Sequence, residues 1–251
     1  MSSIETMIPK NKSEHVAQLL LERIISANLE PGSSFGTEAD LLQQFSVSRP
    51  TLRESLRILE AQGVLELRPG PKGGIIVTKP GIDVLAHALS VYLRLHGVPF
   101  ITVLKAREAI EPALAAEAAS ARTEDDLVRL QDSVDRLKEA TTETEFLKEN
   151  RRFHSLVAEA GQNEVLMVFW STISTLASGE LHGITYTATH QHHVAAAHQA
   201  IVDAIRLRDE ALASQRMGAH VQELQHLVHK RYQHLLSQTT DVIPRQGRRV
   251  D

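Results

Sequence analysis

Three stretches near the start of the chain carry apolar residues at helical spacing. The first covers residues 12–28. A tight turn at residues 46–47 separates the second stretch from the third, and Gly63 follows as a helix stop. Two short apolar runs come next, at residues 64–67 and 75–78, with a segment rich in glycine and proline between them. The pattern predicts three helices followed by a β-hairpin with a flexible tip.

The third helix separates its faces by chemistry. Ser48 can cap it, because a serine hydroxyl can accept a free backbone N–H of the first turn. Leucines at helical spacing would face a core, and three arginines four residues apart share another stripe: Arg49, Arg53 and Arg57. The order of elements predicts a winged helix-turn-helix whose arginines reach base edges and phosphates of DNA. For an isolated helix, the alternative would be a solvated basic face.

Beyond residues 79–81, Lys-Pro-Gly, the strand signal disappears. The spacing predicts helices at residues 83–96, 100–120, 123–139, 143–160, 163–178, 190–206 and 209–237. Short connections between them favour an antiparallel helical bundle. The fold class is therefore mostly α, a winged helix-turn-helix followed by an all-α antiparallel bundle. The predicted organisation is a disordered start (1–10), a DNA-binding domain (11–78), a linker (79–82), a helical effector-binding domain (83–238) and a flexible tail (239–251).

Composition narrows the function classes. The net charge of −4 argues against nucleic-acid binding as an average, but residues 45–79 hold six basic and three acidic residues. The absence of cysteine excludes disulfides and thiolate metal sites. There is no run of about 18 apolar residues and no basic-then-apolar start, so we expect a cytoplasmic protein without a membrane span.

Histidines concentrate in the second half, where all but two of the thirteen lie beyond residue 90. Asn150 and His154 are four apart and would project from one helix face. His198 and His220 flank the turn near residues 208–209 at similar distances, so they come level in a helical hairpin. Three neutral imidazoles with one oxygen ligand suit Zn²⁺ or another late first-row ion such as Ni²⁺. For any single histidine, the alternative is a hydrogen-bonded core or surface residue.

These features together resemble the GntR superfamily of bacterial transcription regulators, in its FadR-like branch with an FCD effector domain. The resemblance runs from residue 12 to about residue 236. In the N-terminal part it rests on Ser48-Arg49, Leu52-Arg53-Glu54, Gly63-Val64-Leu65 and the glycine-rich wing. In the C-terminal part it rests on Arg107-x-x-Ile110-Glu111, Asn150-x-x-Phe153-His154, His198-x-x-Ile201 and Met217-x-x-His220.

The resemblance implies a homodimer that binds double-stranded DNA at a pseudo-palindromic operator, and we expect it to act as a repressor. The implied DNA contacts are Ser48, Arg49, Thr51, Arg53, Arg57, Lys72 and Gly73. The implied ligands of a divalent ion, with Zn²⁺ as the first choice, are Asn150, His154, His198 and His220. A small carboxylic-acid effector would bind beside the ion, in a pocket with Arg107, Glu111, Phe153 and Trp170. Arginine suits this role because guanidinium pairs with carboxylate through two hydrogen bonds.

Two positions depart from the family pattern. Ala39 stands where the family commonly has a DNA-contacting arginine, so operator preference would depend more on Arg49, Arg53 and the wing. Asn150 stands where the family often has aspartate, and a neutral amide oxygen is a weaker ligand than a carboxylate.

Two other functions remain open from the residues alone. The first is a metal-free regulator that senses acyl-CoA through an apolar lining of Phe153, Leu156, Phe169 and Trp170. The second is a metal-dependent hydrolase with an accessory nucleic-acid-binding domain. For the hydrolase, Glu111 and Glu159 are candidate general bases only by proximity in sequence, and no motif places either beside the ion.

Overall fold

The structure, a computed structural model, describes residues 12–70, 74–177 and 183–241. The chain divides into two compact units between Val84 and Leu85. Within the described residues, helices and a small sheet form the first unit, and helices dominate the second. The predicted mostly helical fold class is confirmed. None of the described helices is long and apolar enough to cross a membrane.

The first unit has the element order of a winged helix-turn-helix. Its elements are α1 (Lys12–Ser26), β1 (Ser34–Gly36), α2 (Glu38–Phe45), α3 (Arg49–Ala61), β2 (Leu65–Arg68) and β3 (Gly74–Val77). Strands β2 and β3 form the predicted antiparallel hairpin, with Leu65 opposite Val77. Strand β1 pairs with the other side of β3 and was not predicted, because three residues are too short to show an alternating pattern.

The core of this unit lies between α1, α3 and the sheet. Leu20 and Leu52 are both fully buried there. The buried hydroxyl of Ser55 donates to the backbone oxygen of Ser13 at 2.7 Å, which ties α3 to α1. Ser46 adopts the left-handed conformation at φ 49° and ends α2, so the chain can turn directly into α3. The arginine-bearing helix is therefore fixed from its buried side.

The second unit is a helical bundle. Its helices are α4 (Ile82–Leu95, which contains the division between the units), α5 (Phe100–Ala121), α6 (Glu124–Glu139), α7 (Glu143–Ala160), α8 (Glu164–Leu176), α9 (Ala188–Arg206) and α10 (Glu210–Arg231). A short 3₁₀ helix, Gln233–Leu236, replaces the end of the predicted last helix. The main core forms where α5, α6, α7, α9 and α10 meet.

The ends of these helices follow local capping chemistry. Thr123 and Asp126 form the predicted capping box at the start of α6, in which each side chain accepts from the other's backbone N–H. Thr142 and Glu145 do the same for α7, the helix that carries Asn150 and His154.

The described C-terminal residues are held in place. Thr239 forms a β-bridge with Pro99, and the backbone N–H of Thr240 donates to the oxygen of Val98 at 3.2 Å. Thr240 is 1% exposed. This differs from the flexible tail that the sequence predicts from residue 239, because these backbone groups find partners at the start of α5. The disordered start at residues 1–10 and the rest of the tail lie outside the described residues.

Candidate functional site

Helix α3 has one buried face, and its arginines lie on the exposed face. The hydroxyl of Ser48 accepts the backbone N–H of Thr51 at 3.4 Å and lies 2.7 Å from the Thr51 hydroxyl, which confirms the predicted N-cap. Leu52 points inward, whereas Arg49 and Arg53 are exposed. The first turn of α3 contains no acidic residue. The positive end of the helix dipole and the arginines therefore favour the same anionic partner.

The three arginines differ in their pairing. Arg57 lies 4.0 Å from Glu54, whereas neither Arg49 nor Arg53 joins an ion pair within the described part of the chain. An unpaired exposed guanidinium can bind a phosphate or a guanine edge without first breaking a contact. Lys72 and Gly73, the two predicted wing contacts, lie outside the described residues.

In the second unit, three histidines from three helices converge. Nε2 of His198, on α9, lies 3.1 Å from Nε2 of His220, on α10. The same atom of His220 lies 3.3 Å from Nε2 of His154, on α7. His154 and His198 are 4% and 0% exposed, and His220 is half-buried. His198 and His220 therefore lie side by side on neighbouring helices, as the sequence predicts.

The spacing of these nitrogens fits a metal ion. Two ligands about 2.05 Å from Zn²⁺ and separated by the tetrahedral angle lie about 3.3 Å apart. The observed 3.1 and 3.3 Å agree with that value. All three candidate ligand atoms lie within 4.8 Å of one another. The chemistry and spacing of the three nitrogens fit an ion of this class.

Burial keeps two of the imidazoles neutral. Burial lowers the pKa of His198 well below its usual value, and the neighbouring imidazoles of His220 and His154 lower it further. Burial likewise lowers the pKa of His220 to about 3. Since only a neutral imidazole offers a lone pair to a metal, both side chains are in the required form at neutral pH.

A buried carboxylate joins this cluster to an arginine. Glu111 is 1% exposed, and its Oε1 accepts from Nε of Arg107 at 2.5 Å. Its Oε2 lies 2.5 Å from Nδ1 of His154. Burial acts to raise the pKa of Glu111, but the adjacent Arg107 and His154 outweigh it and lower that pKa below its usual range. Glu111 is therefore an ionised carboxylate with a nitrogen 2.5 Å from each of its oxygens.

Two adjoining cavities open beside the histidines. They share Arg107, Asn150, His154, Tyr186 and Leu224 as lining residues. His220 lines the first cavity, whose empty volume is about 490 Å³ including its mouth. Trp170 lines the second, of about 470 Å³. The structure thus brings Arg107, Asn150 and the histidine cluster to one place.

The other predicted pocket residues are not all in the cavities. Phe153 is fully buried and stacks on His198, with ring centroids 3.8 Å apart, so it supports a histidine instead of lining a cavity. Leu156 packs in the main core, and Phe169 is 56% exposed. Trp170 is buried, and its indole N–H has no hydrogen-bond partner within the described residues. The apolar lining expected for an acyl-CoA pocket is therefore dispersed.

Sequence reasoning missed Tyr186, which lines both cavities. Burial raises the pKa of its hydroxyl, and the charge of Arg107 acts in the opposite direction. Its backbone N–H donates to Glu143 at 3.2 Å, and its ring packs on Phe146. Tyr186 lies between helices, where periodicity gives no signal. The one available signal was a tyrosine placed in a loop between two helices, and no sequence motif marks that position.

The fold and the site define a class of protein. A winged helix-turn-helix with an exposed arginine face shares one chain with a helical unit that contains a cavity lined by Arg107, Asn150 and two of the clustered histidines. This combination is typical of DNA-binding regulators that carry a separate ligand-binding part.

Comparisons with known proteins support this class. Residues 12–76 match the family described as bacterial regulatory proteins, gntR family, and residues 102–223 match the FCD domain. The HTH-type transcriptional regulator LutR of Bacillus subtilis is 30% identical over 154 residues, which cover 61% of this chain and 69% of LutR. The HTH-type transcriptional repressor NanR of Cronobacter sakazakii is 26% identical over 223 residues, 84% of this chain and 83% of NanR. A solved structure described as Streptococcus agalactiae GntR has the same fold, with a TM-score of 0.65 at 24% identity, and covers 85% of this chain and 99% of its own.

The chain belongs to the GntR family of bacterial transcription regulators, in the FadR-like branch that carries an FCD domain. It is a DNA-binding transcriptional regulator and not an enzyme, so the metal-dependent hydrolase interpretation is wrong.

Proposed function

We propose that the chain is a ligand-responsive repressor that acts in the bacterial cytoplasm as a homodimer on a pseudo-palindromic operator. Two copies related by a two-fold axis would place two α3 helices in successive major grooves. The similarity to NanR of Cronobacter sakazakii, a transcriptional repressor, supports the direction of regulation.

The proposed DNA contacts follow from the exposed face of α3. Arg49 and Arg53 donate to base edges or phosphates, and Arg57 would first leave its contact with Glu54. Ser48 and Thr51 lie at the helix start, where backbone N–H groups attract phosphate. The wing residues Lys72 and Gly73 would contact the adjacent backbone.

In the second unit, we propose that the three histidines hold a divalent ion, with Zn²⁺ preferred and Ni²⁺ the next choice. Asn150 would supply a fourth, neutral oxygen ligand from the same face of α7 as His154. A small carboxylic acid would pair with the free edge of Arg107 and complete the ion's coordination when bound. One observation carries this assignment: Arg107 lines the same cavities as His154 and Asn150.

Operator binding in the presence of ion and acid tests this function. Protein purified without chelator would be analysed for bound metal, then titrated onto its own upstream DNA with added Zn²⁺ and a panel of small carboxylic acids. We expect stoichiometric metal and an acid that changes operator affinity by about 5- to 150-fold. Arg107→Ala should lose the acid response but keep DNA binding.

The matched control is Lys105→Ala, which removes an exposed positive charge from the same helix. It should respond as the wild type does. Protein that neither contains nor takes up Zn²⁺ or Ni²⁺ would rule out the ion. An unchanged acid response in Arg107→Ala would rule out the effector site.

A further inference from the structure

The position of Glu111 gives it a different part from the effector contact that the sequence predicts. One of its oxygens is 2.5 Å from Arg107 Nε and the other is 2.5 Å from His154 Nδ1. A nitrogen thus lies 2.5 Å from each oxygen, and the group is 1% exposed. A buried carboxylate in this state would repel an acidic effector instead of binding it.

The contact with His154 fixes which ring nitrogen carries the proton. A carboxylate oxygen offers only lone pairs, so a neutral imidazole with Nδ1 2.5 Å from it avoids lone-pair repulsion when its proton is on Nδ1. Its lone pair is then on Nε2, the atom that faces His220 at 3.3 Å. The 2.5 Å approach of His154 Nδ1 to Glu111 is a close charge contact without hydrogen-bond geometry, and Nδ1 of His198 and of His220 likewise have no hydrogen-bond partner within the described residues. Among the three histidines, it is His154 whose Nδ1 lies 2.5 Å from a carboxylate oxygen in the described residues, so its tautomer is the one that Glu111 favours.

The contact with Arg107 leaves that guanidinium with a free edge. Glu111 occupies Nε, while the terminal nitrogens remain for the cavities that Arg107 lines. The same carboxylate offsets part of the guanidinium charge. A cation at the histidines would attract the carboxylate of Glu111. The contact between Glu111 and Arg107 would then weaken, and the guanidinium would attract an acid more strongly.

We propose that Glu111 is a positioning residue that holds His154 in the metal-binding tautomer and couples the ion site to the acid-binding edge of Arg107. The inference rests on the proposed ion and acid. It adds that the two bind with positive cooperativity, part of which passes through one buried side chain. Linkage then requires that acid raise ion affinity by the same factor as the ion raises acid affinity.

Glu111→Gln tests the positioning role. Glutamine has one accepting oxygen and one donating amide, but it would face two N–H donors, on Arg107 and His154. His154 can relieve the clash by moving its proton to Nε2, where it can no longer bind an ion. We expect Zn²⁺ affinity to fall about 10- to 100-fold, as it does when partners of metal-bound histidines are removed.

The matched control is Glu108→Gln, one turn earlier on α5. Glu108 accepts from Gln225 of α10 at 2.7 Å and does not line either cavity. Its variant should bind Zn²⁺ as the wild type does. Addition of acetate should raise the Zn²⁺ affinity of the wild type, and by a smaller factor in Glu111→Gln. Equal factors would overturn the coupling.

Nitrogen-15 NMR of the metal-free protein reads the tautomer directly. We expect His154 to be the Nδ1–H form in the wild type and the Nε2–H form in Glu111→Gln. An Nε2–H form in the wild type would overturn the proposal even if the variant failed to fold, as would unchanged Zn²⁺ affinity in a folded variant. A wild-type protein that binds no Zn²⁺ with or without acetate would instead overturn the proposed ion, and this inference with it.

Discussion

At the scale of single residues, Arg53 differs from Arg57 although both lie on one stripe of α3. Arg57 contacts Glu54 at 4.0 Å, and both side chains of that pair are more than half exposed, so the contact is weak. Arg53 has no such partner in the described residues and lies nearer the start of the helix. A recognition helix reads bases mainly through its N-terminal residues. Arg53 should therefore contribute more to operator binding than Arg57.

Arg53→Ala should weaken operator binding by about 1–3 kcal/mol, because one guanidinium contact to a base is lost. Fluorescence anisotropy with labelled operator at fixed salt measures the change. Arg23→Ala removes an exposed arginine from the last turn of α1 and serves as the control. If the two variants lose the same affinity, the effect is one of net charge and α3 does not read the bases.

Tyr186→Phe should weaken the binding of an acid that carries a hydroxyl next to its carboxylate. Tyr186 lines the same cavities as Arg107, and a hydrogen bond from its hydroxyl to the acid would contribute about 0.5–1.5 kcal/mol. Calorimetry would compare the affinity for a hydroxy acid with that for its analogue without the hydroxyl. The pairs are glycolate with acetate and malate with succinate. Any preference for the hydroxy acid should shrink in the variant. Tyr92→Phe, at a tyrosine that is 57% exposed, should leave it unchanged. A preference that survives in Tyr186→Phe would contradict this role.

At the scale of elements, Ser55 shows how α3 is held. Its hydroxyl reaches the backbone oxygen of Ser13 at 2.7 Å and that of Thr51 at 2.8 Å, so one side chain links α1 to α3. Ser55→Ala should lower the free energy of unfolding of the first unit by about 1 kcal/mol, the typical net value of one hydrogen bond. Thermal melts would measure this. Ser26→Ala, which removes an exposed hydroxyl that donates to the backbone oxygen of Arg23 within the same helix, should lower the melting temperature less.

The start of α7 should make stability depend on pH. Backbone N–H groups of Thr141 and Thr142 lower the pKa of Glu145 below its usual value of 4.5. A carboxylate with a depressed pKa stabilises the fold fully above its unfolded pKa, and this contribution is lost as pH falls through the folded pKa. The gap in melting temperature between wild type and Glu145→Gln should therefore be constant near neutrality and shrink below about pH 4.5. A gap that does not change with pH would exclude the carboxylate's charge as the cause.

Helices were predictable from sequence where packing and capping agree. The periods of α5, α6 and α7 place their elements within a few residues, and Thr123 with Asp126 marks the start of α6. Strand β1 and the bridge of Thr239 to Pro99 were not predictable, because each depends on a partner distant in sequence. The same reason explains which site residues could be predicted from the sequence and which could not. His198 and His220 could be aligned through one hairpin, whereas Tyr186 and the double contact of Glu111 arise only from tertiary packing.

At the scale of the whole molecule, the candidate DNA face and the candidate ligand site lie in different compact units. The arginines of α3 belong to the first unit, and the histidines, Arg107 and Glu111 belong to the second. An effector that controls operator binding must therefore favour one conformational state of the chain over another. Binding at the ligand site then changes the affinity of the DNA face for the operator.

This requirement can be tested from the ligand side. If an acid lowers operator affinity by some factor, saturating operator must lower acid affinity by the same factor, since the two measurements close one thermodynamic cycle. Calorimetric titration of the Zn²⁺-loaded protein with the acid, with and without operator, gives the second factor, and anisotropy gives the first. Native mass spectrometry of the complex should find two protomers per operator. Arg107→Ala should reduce both factors to one while leaving that stoichiometry unchanged. Unequal factors in the wild type would mean that the acid acts on the DNA or on aggregation and not through the cavity beside Arg107.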